Sequence, residues 1–455
     1  MDPTTSLAAP VKRRNLLLGN RDFTLLFGGG AISSIGDYVF NTTLILWIAA
    51  DLAKGQSWAP LAVSGVLLAT VAPTMLVGPL AGVFVDRWDN RRTMLAMDGL
   101  RALLIAALLL ATGVAPIPPF GGAHPSPIAR LVLIYVVVVL AVGCAQFFGP
   151  ARLAIVNDIV GEDQLARATG LMQVTSTGAL IIGPALAAPL FFAYGARVAL
   201  AINALSFGVS FGALWLVRMS GKKQPEARQT KPRFWREFGG GAANLARNRV
   251  TRAIAVTVVI VLTGLGLINA LDIFFVTNNL RAAPSVYGYL EALDGAGLVA
   301  GSVVAALFVQ RVGTARTFWL SILGIGVIVV AYSRMTSVAP AAMLIFLVGC
   351  VNAPINVAVG PLIVGATPRA MLGRTIALIS AAGAVASLLS TAAAGWLASG
   401  PLRGFHVAFI GQHFGPVDTL FGVAGLVALV GAFYAMLALR GVDAQARARV
   451  VKGVA

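Results

Sequence analysis

A short charged segment occurs twice in this chain and divides it into two related halves. The segment GVFVDRWDNRRT at residues 82–93 is echoed by ALFVQRVGTART at residues 306–317, 224 positions later. Long apolar runs flank each copy, so the two halves are predicted to repeat one membrane topology. Parallel repeats of this kind are typical of transporters with a substrate site between the halves. Aligned without a gap, the identical pairs are Phe84/Phe308, Val85/Val309, Arg87/Arg311, Arg92/Arg316 and Thr93/Thr317.

Twelve apolar runs indicate a membrane protein. Of the 455 residues, 58% are hydrophobic and 11% are charged, whereas soluble domains carry about 25% charged residues. A helix needs about 20 apolar residues to cross the hydrocarbon core of a bilayer. The sequence therefore predicts an all-α membrane protein with twelve transmembrane helices in two pseudo-symmetric six-helix bundles. The predicted spans are residues 23–50, 60–84, 93–113, 129–149, 168–193, 197–217, 253–277, 286–309, 317–335, 340–363, 375–399 and 418–439.

The placement of Lys and Arg predicts the orientation in the membrane. If the N-terminus is cytoplasmic, 27 of the 34 Lys and Arg residues fall in cytoplasmic segments. Positive charge concentrates on the cytoplasmic side of membrane proteins, so both termini are predicted to be cytoplasmic in a plasma membrane. The net charge of +17 follows from these loops, and no nucleic-acid partner is expected. The outer side keeps Lys54, Arg130, Arg197, Arg281, Arg334 and Arg403.

This topology divides the chain into five segments. Residues 1–22 form a cytoplasmic tail, followed by the first six-helix bundle at 23–217. A basic cytoplasmic linker at 218–252 leads to the second bundle at 253–439, and residues 440–455 form the C-terminal tail. A monomer embedded in a lipid bilayer is expected.

The motifs of enzymes and metal sites are weak in this sequence, so neither catalysis nor a cofactor or metal is expected. Cys144 and Cys350 both lie in apolar runs and cannot build a cysteine-rich metal site. The segment GVSFG at 208–212 fits a nucleophile motif but lies in an apolar helix rather than in a strand-turn-helix elbow. His406 and His413 lie seven residues apart in a loop rich in Gly and Pro, and no carboxylate or Cys completes a ligand set there.

Charged residues within apolar spans are candidates for function, because burying charge in a bilayer is costly. Asp37 lies near the middle of the first span and shares a helical face with Ser33 and Asn41. A carboxylate in this position suits reversible proton uptake, and a structural carboxylate held by helix–helix hydrogen bonds is the alternative. Asp98 and Arg101 are spaced i, i+3 in the third span, so they are predicted to pair with each other as part of a gate.

Polar residues in the second half are candidates for lining a cavity. Asn269 and Asp272 are spaced i, i+3 in the seventh span, and Glu291 and Asp294 near the start of the eighth span can form an acidic vestibule with Asp272. The alternative is that Glu291 and Asp294 are solvated helix-end residues. Asn352 and Asn356 flank Pro354 in the tenth span, and their amides can compensate for the interrupted backbone ladder or line a cavity.

The repeated charged loop is predicted to be a gate. A carboxylate there can bond a helix N-terminus, and arginines can bridge to carboxylates or helix C-terminal carbonyls of the other half, closing one face in one state of an alternating-access cycle. A simple positively charged turn is the alternative. The predicted gate residues, with Asp98 and Arg101, are Asp86, Arg87, Arg91, Arg92, Arg311 and Arg316.

Glycines four residues apart are candidates for close helix packing. Gly208 and Gly212 have this spacing in one span, and Gly297 and Gly301 have it in another. Gly82 has the same spacing from its predecessor Gly78.

Several segments resemble the major facilitator superfamily. Residues 82–92 are similar to its cytoplasmic signature, G-x-x-x-D-R-x-x-x-R-[RK]. The segments ISSIGD (32–37), FFGPARLAIVNDIV (147–160), LIIGPALAAPL (180–190) and LGRT (372–375) resemble the branch of macrolide-efflux pumps and the enterobactin exporter. The resemblance implies two six-helix bundles around a central cavity, rocker-switch motion and proton-driven export. It also implies that Asp86, Arg87, Arg91 and Arg92 form a cytoplasmic gate and that Asp37 is the acidic residue of the first helix.

Three departures from the family pattern bear on export. The antiporter signature Gly-Pro-x-x-Gly-Gly is here Gly183-Pro184-Ala185-Leu186-Ala187-Ala188. The predicted fourth span has only Arg130, at its outer end, where many drug antiporters have a central arginine. In the second half, Gln310 replaces the gate aspartate.

The function expected from the sequence is proton-coupled export of an amphipathic small molecule, such as a macrolide-like drug or a siderophore. An importer or facilitator on the same fold is one alternative. A receptor or scaffold that does not transport is an alternative of a different class.

Overall fold

A computed structural model describes residues 17–85, 87–113, 125–218, 245, 247–368, 371–409 and 412–443. Within these ranges twelve helices are long and apolar enough to cross a membrane, which confirms the predicted count. They are α1 (Arg21–Trp47), α2 (Ala59–Val85), α3 (Asn90–Ala111), α4 (Pro127–Val160), α5 (Glu162–Tyr194), α6 (Ala196–Leu216), α7 (Arg249–Phe274), α8 (Val286–Val312), α9 (Thr314–Ser333), α10 (Val338–Ala366), α11 (Leu372–Ser399) and α12 (Pro416–Ala438).

Four short elements complete the described chain. A 3₁₀ turn, Leu17–Gly19, precedes α1. One π-helical turn, Ile48–Leu52, continues α1, and a second, Phe275–Asn279, continues α7, the corresponding helix of the second half. Between α11 and α12, strands β1 (Val407–Phe409) and β2 (Gln412–Phe414) pair antiparallel.

The helix contacts repeat between the two halves. In the first half α1 packs on α5 and α6, α2 packs on α4, and α3 packs on α4 and α6. Each of these pairs recurs six helices later: α7 packs on α11 and α12, α8 on α10, and α9 on α10 and α12. The halves meet through α2 with α11 and α5 with α8, which are also equivalent under the same exchange. The molecule is therefore two pseudo-symmetric six-helix bundles.

The repeat extends to the residues that begin α1 and α7. The side chain of Asn20 accepts hydrogen bonds from the backbone N–H groups of Asp22 and Phe23, and Asn248 does the same for Val250 and Thr251. Such N-caps satisfy amide groups that have no partner within the helix. Each asparagine also donates from Nδ2 to a backbone oxygen at the end of the fourth helix of its half, Ile159 at 3.4 Å and Ala366 at 2.6 Å.

The fourth helix is longer than predicted. Its predicted span ends at residue 149, because Pro150, Arg152, Asn157 and Asp158 lower the hydropathy of the residues that follow. In the structure α4 continues as a helix to Val160. Arg152 therefore lies within a membrane-spanning helix rather than in a loop.

The two halves are joined at one end of the molecule and separate at the other. We call the end where α1 and α7 begin the termini face, and the end where they finish the opposite face. A single hydrophobic core at the opposite face contains residues of both halves, among them Trp47 and Phe191 with Phe275 and Phe421. At the termini face the first half and the second half have separate cores.

An apolar cavity lies between the halves on the side where they are separate. Its volume is about 470 Å³, and its lining includes Val71 of α2 together with Val258 and Leu262 of α7. Residues of α10 and α11 complete it, including Ile363 and Ile379. The lining of this cavity is thus mostly aliphatic, with Ser380 and Ser387 as its polar members.

Glycines mark the closest helix contacts in the second half. A Cβ added to Gly297 would lie 2.1 Å from the carbonyl oxygen of Phe346, and one on Gly301 would lie 2.2 Å from that of Cys350. These distances are far below van der Waals contact, so both positions require glycine where α8 crosses α10. Gly183 is similarly close to Tyr38, at 2.2 Å from its Cβ, and the carbonyl oxygen of Pro184 lies against Gly288 of α8.

The other candidate packing glycines do not lie at such contacts. A Cβ on Gly82, Gly208 or Gly212 would have no neighbour within 4 Å. The packing prediction is wrong for these three residues, because the G-x-x-x-G spacing creates a flat face without specifying whether another helix covers it.

Candidate functional site

An ion pair joins the first and third helices near their middles. Nη2 of Arg101 in α3 donates to both Oδ1 and Oδ2 of Asp37 in α1, each at 2.8 Å. The Arg101 side chain is 8% exposed and that of Asp37 is 36% exposed. The guanidinium carbon also lies 3.9 Å from the ring centroid of Phe207 in α6. This cation–π contact helps to fix the orientation of the guanidinium group. Arg101 is thus fixed by two neighbouring helices, while Asp37 keeps an accessible edge.

Asp98 lies beside this pair without a close partner. Its side chain is fully buried, and the nearest Arg101 nitrogen, Nη1, is 4.0 Å from Oδ1. Neither Asp98 oxygen accepts a hydrogen bond from the residues that the structure describes. Ser210 of α6 is the side chain capable of hydrogen bonding that lies next to the Asp98 carboxylate, and Arg152 of α4 acts on it as a charge. The predicted pairing of Asp98 with Arg101 is present as a long ion pair of 4.0 Å. The shorter contact of Arg101 is with Asp37, which local i, i+3 spacing cannot reveal.

Small residues allow the helices around this site to approach closely. A Cβ on Gly36, next to Asp37, would lie 2.3 Å from Oγ of Ser206 and 2.9 Å from Oδ1 of Asn203. On the same helix, a Cβ on Gly30 would lie 2.8 Å from Nη2 of Arg152. These two glycines let α1 pack against polar groups of α6 and α4.

The predicted polar residues near Asp37 have different environments. Ser33 is buried at 5% exposure, whereas Asn41 is exposed. Both lie on α1, but the structure gives neither a hydrogen bond to Asp37. The face predicted from their spacing is therefore shared by a buried and an accessible position.

The predicted polar residues of the second half do not form one site. Asp272 is 6% exposed and accepts a hydrogen bond from the Tyr332 hydroxyl at 3.4 Å. Glu291 and Asp294 lie close enough to interact with it electrostatically, so the predicted acidic group is brought together, with Asp272 buried within its bundle. Asn269 is exposed. Asn356 is exposed and donates to the carbonyl oxygen of Asn352 at 3.4 Å, within α10.

The first copy of the repeated loop is anchored to its own half. Asp89 caps α3 by accepting from the backbone N–H of Arg92 at 2.7 Å. Arg91 donates to the carbonyl oxygen of Trp215 at 2.6 Å and to that of Leu214 at 3.4 Å, at the C-terminal end of α6, where the helix dipole favours a cation. Arg87 and Arg92 are exposed. Asp86, the central residue of the predicted gate, lies outside the described residues.

The second copy is capped from the C-terminal segment. The carboxylate of Asp443 accepts from the backbone N–H groups of Ala315 at 2.9 Å and Arg316 at 3.0 Å. The side chains of Arg311 and Arg316 are exposed. In both copies a carboxylate satisfies the first N–H groups of the third helix of its half, although the two carboxylates come from different parts of the chain.

Sequence reasoning misses two residues of the site. The predicted fourth span ends before Arg152, which leaves this residue in a loop, and Phe207 is one of many aromatics in apolar spans. The motif FFGPARLAIVNDIV contains Arg152, so continuing the helix through its Pro150 would find it. The described residues contain no group of three or more His, Cys, Asp or Glu side chains placed to hold a metal ion.

Known proteins with similar sequences are bacterial membrane transporters. The chain is 25% identical over 361 residues to the uncharacterized MFS-type transporter YkuC of Bacillus subtilis, covering 75% of this chain and 77% of YkuC. It is 26% identical over 286 residues to macrolide efflux protein A of Streptococcus pyogenes, covering 63% and 66% of the two chains. It is 26% identical over 316 residues to the lysophospholipid transporter LplT of Cronobacter sakazakii, covering 68% and 73%.

Solved structures share the fold. A bacterial homologue of the iron transporter ferroportin, in an inward-facing state, matches with a TM-score of 0.71 at 16% identity, over 92% of this chain and 99% of the other. The nucleoside transporter NupG matches with a TM-score of 0.68 at 12% identity, over 92% and 99%. The sequence model of the Major Facilitator Superfamily matches residues 26–274, which is more than half of the chain. The chain belongs to the Major Facilitator Superfamily.

Proposed function

We propose that this protein is a proton-coupled exporter of an amphipathic small molecule, working by alternating access in a bacterial plasma membrane with both termini cytoplasmic. In this orientation the termini face is cytoplasmic. The separate cores at that face and the common core at the opposite face then describe a state open to the cytoplasm. That is the state in which an exporter takes up its substrate.

The observation that carries the proposal is the ion pair between Asp37 and Arg101 beside Asp98. Asp37 is the accessible member, and a proton arriving there removes its charge and weakens its bond to Arg101. Arginine itself keeps its charge, so a released guanidinium needs another carboxylate. Asp98 is 4.0 Å away and lacks a hydrogen-bond partner in the described part of the chain. A proton on Asp37 thus favours a shift of Arg101 toward Asp98, which moves α3 relative to α1.

The repeated loop is proposed to control the cytoplasmic opening. Arg91 ties α3 to the end of α6, while Arg87, Arg92, Arg311 and Arg316 are exposed in the open state. When the halves approach, these cations become available to carboxylates and helix C-termini of the other half. This closes the cytoplasmic face as the opposite face opens.

An amphipathic substrate matches the lining of the cavity and the substrates for which related proteins are named. The cavity between the halves is lined mostly by aliphatic side chains. Related proteins are named for efflux of macrolides and for transport of lysophospholipids, and both molecules combine apolar and polar parts.

Everted membrane vesicles with an imposed proton gradient test this proposal. Macrolides, siderophores, lysophospholipids and lipophilic cations are added in turn, and dissipation of the gradient is recorded. Wild type is expected to respond to at least one compound and Asp37→Asn to none. Asp158→Asn is the matched control, because Asp158 is an exposed carboxylate outside the site.

The outcomes separate the alternatives. A response that survives in Asp37→Asn removes this residue from coupling. Substrate flux without gradient dissipation indicates a facilitator, and flux in the reverse direction indicates an importer. Absence of flux for every compound favours the receptor or scaffold alternative.

A further inference from the structure

A large basic cavity lies at the opposite face, away from the ion pair described above. Its volume is about 1390 Å³, and residues of both halves line it. Four of the six basic residues that the sequence leaves on this side converge there: Lys54, Arg281, Arg334 and Arg403. Because few basic residues are expected on that side of a membrane protein, their convergence on one cavity requires an explanation.

Most of this positive charge is not neutralised by the protein. Arg334 pairs with Asp418 at 2.9 Å and stacks over the ring of Phe414. The side chains of Lys54, Arg281 and Arg403 are exposed and form no ion pair within the described ranges. The carboxylate that lines the cavity, Asp418, is therefore already paired with Arg334.

A further carboxylate near this face lies outside the cavity. Asp51, on the turn that precedes Lys54, accepts a hydrogen bond from Nε1 of Trp47 at 3.2 Å and does not line the cavity. The charged lining thus has one carboxylate, Asp418, against four cations, Lys54, Arg281, Arg334 and Arg403, and a concavity with an excess of positive charge attracts anions.

The backbone around the cavity is unusual in both halves. The two π-helical turns, Ile48–Leu52 and Phe275–Asn279, both contribute lining residues. Arg281 has φ of 50°, and it is the one residue other than glycine with positive φ in the described part of the chain. π-turns and strained backbone cluster at functional sites. Here the two π-helical turns lie at equivalent ends of α1 and α7, and the loops that follow them both line one cavity.

Apolar side chains share the rest of the lining with uncharged polar ones such as Gln56, Asn278 and Thr336. Ala49 and Phe192 come from the first half, and Ile273, Phe274 and Val417 from the second. The cavity thus combines an apolar surface with cations that have no ion-pair partner in the described ranges, so a small inorganic anion would leave much of the lining without a partner. A molecule with an anionic group and an apolar chain satisfies both parts.

We propose that this cavity binds the anionic headgroup and the adjoining chain of an amphiphilic molecule, and that this molecule is the transported substrate at the opposite end of its path. The substrate assignment rests on the proposed export function, whereas binding itself does not. Lys54, Arg281 and Arg403 contact the anionic group, and the apolar lining contacts the chain.

Binding of dodecyl phosphate to the full-length protein in nanodiscs of zwitterionic lipid tests this proposal. Dodecyltrimethylammonium and inorganic phosphate serve as probes that lack the negative charge or the chain. We expect dodecyl phosphate to bind and the other two to compete weakly. Each exposed ionic contact contributes modestly, so single Gln substitutions of the three cations should weaken binding about two- to fivefold and the triple variant about tenfold or more.

Arg197→Gln is the matched control. Arg197 is an exposed basic residue on the same face but does not line the cavity, so its loss should leave binding unchanged. Equal affinity for dodecyl phosphate and dodecyltrimethylammonium, or wild-type affinity in the triple variant, would overturn the proposal. Equal competition by inorganic phosphate would contradict the assignment of an amphiphilic ligand, because the apolar chain would then contribute nothing to binding.

Two further measurements separate this proposal from the export function. If adding an anionic phospholipid to the nanodisc abolishes binding, the site belongs to bilayer lipid and the substrate assignment fails. In vesicles, efflux of dodecyl phosphate should fall in the triple variant, whereas gradient dissipation by a neutral compound should not. Binding without any transport would contradict the export function and the substrate assignment but leave the site intact.

Discussion

One nitrogen of Arg101, Nη2, lies 2.8 Å from each carboxylate oxygen of Asp37. The contact joins α3 to α1, while Asp98, on the same helix as Arg101, is left at 4.0 Å. One arginine therefore stands between two carboxylates, one accessible and paired, the other buried and without a close partner in the described part of the chain. An arrangement with two alternative partners for one cation is the kind of two-state element that ligand or proton binding can bias.

Replacing Arg101 tests whether this pair couples protons to transport. Arg101→Gln removes the cation from two carboxylates in a largely buried site. Removing one partner of a buried pair typically costs 3–5 kcal/mol, and the partial exposure of Asp37 lowers this to roughly 1–3 kcal/mol. We expect a lower unfolding temperature in a thermal-shift assay and loss of proton-coupled transport in vesicles. Arg197→Gln is the control, and normal coupling in a folded Arg101→Gln protein would contradict the proposed role.

Asp98 should behave differently from a residue that merely stabilises the fold. Asp98 is buried and its nearest cation, Arg101, lies 4.0 Å away. A poorly paired buried carboxylate is costly, so Asp98→Asn, which keeps the shape, should leave the unfolding temperature unchanged or raise it. It should nevertheless slow coupled transport, because Arg101 loses its alternative partner. Thermal-shift and vesicle assays on the same preparation separate the two effects. A destabilised protein with normal coupling would assign Asp98 a structural role only.

The sequence was sufficient for the fold but not for this site. Hydropathy and the repeated loop predict twelve helices in two halves, because burial in lipid imposes length and composition on each span. The contact between Arg101 and Asp37 depends on how α1 and α3 are rotated against each other. Local spacing carries no information about that rotation, and it points to Asp98 instead.

The same limit applies to helix packing and helix length. Gly208 and Gly297 have identical G-x-x-x-G spacing, yet only Gly297 faces a neighbouring helix. Hydropathy places Arg152 in a loop, because the apolar run reports only the part of a helix that crosses the hydrocarbon core. In the structure α4 continues beyond that run. Spacing and hydropathy are properties of one helix, and these residues are positioned by contacts between helices.

A pair of glycine substitutions tests the packing described here. Gly297→Ala places a methyl group 2.1 Å from the carbonyl oxygen of Phe346, so α8 and α10 must separate. Such overpacking typically costs about 1–3 kcal/mol. Gly208→Ala has open space and should be neutral or gain up to about 1 kcal/mol from helix propensity. Denaturation of the two purified variants provides the comparison, and equal stability would show that the α8–α10 contact is looser than described.

A disulfide at the opposite face tests whether the halves must separate there during transport. Backbone N–H of Leu61 in α2 donates to Oγ of Ser399 in α11 at 3.1 Å, and a Cβ on Gly395 would lie 2.8 Å from the Cβ of Ser64. Disulfides need a Cβ–Cβ distance of about 3.5–4.5 Å, so a small separation accommodates a bond between cysteines at 64 and 395.

The variant Ser64→Cys/Gly395→Cys is made with Cys144 and Cys350 replaced by Ala, so that no other thiol competes. We expect it to cross-link under mild oxidation and to lose transport, because the bond holds the opposite face closed while the termini face stays open. A reducing agent should restore transport, and each single-cysteine variant should be insensitive to oxidation. Undiminished transport by the fully cross-linked protein would refute a cycle that opens this face between α2 and α11.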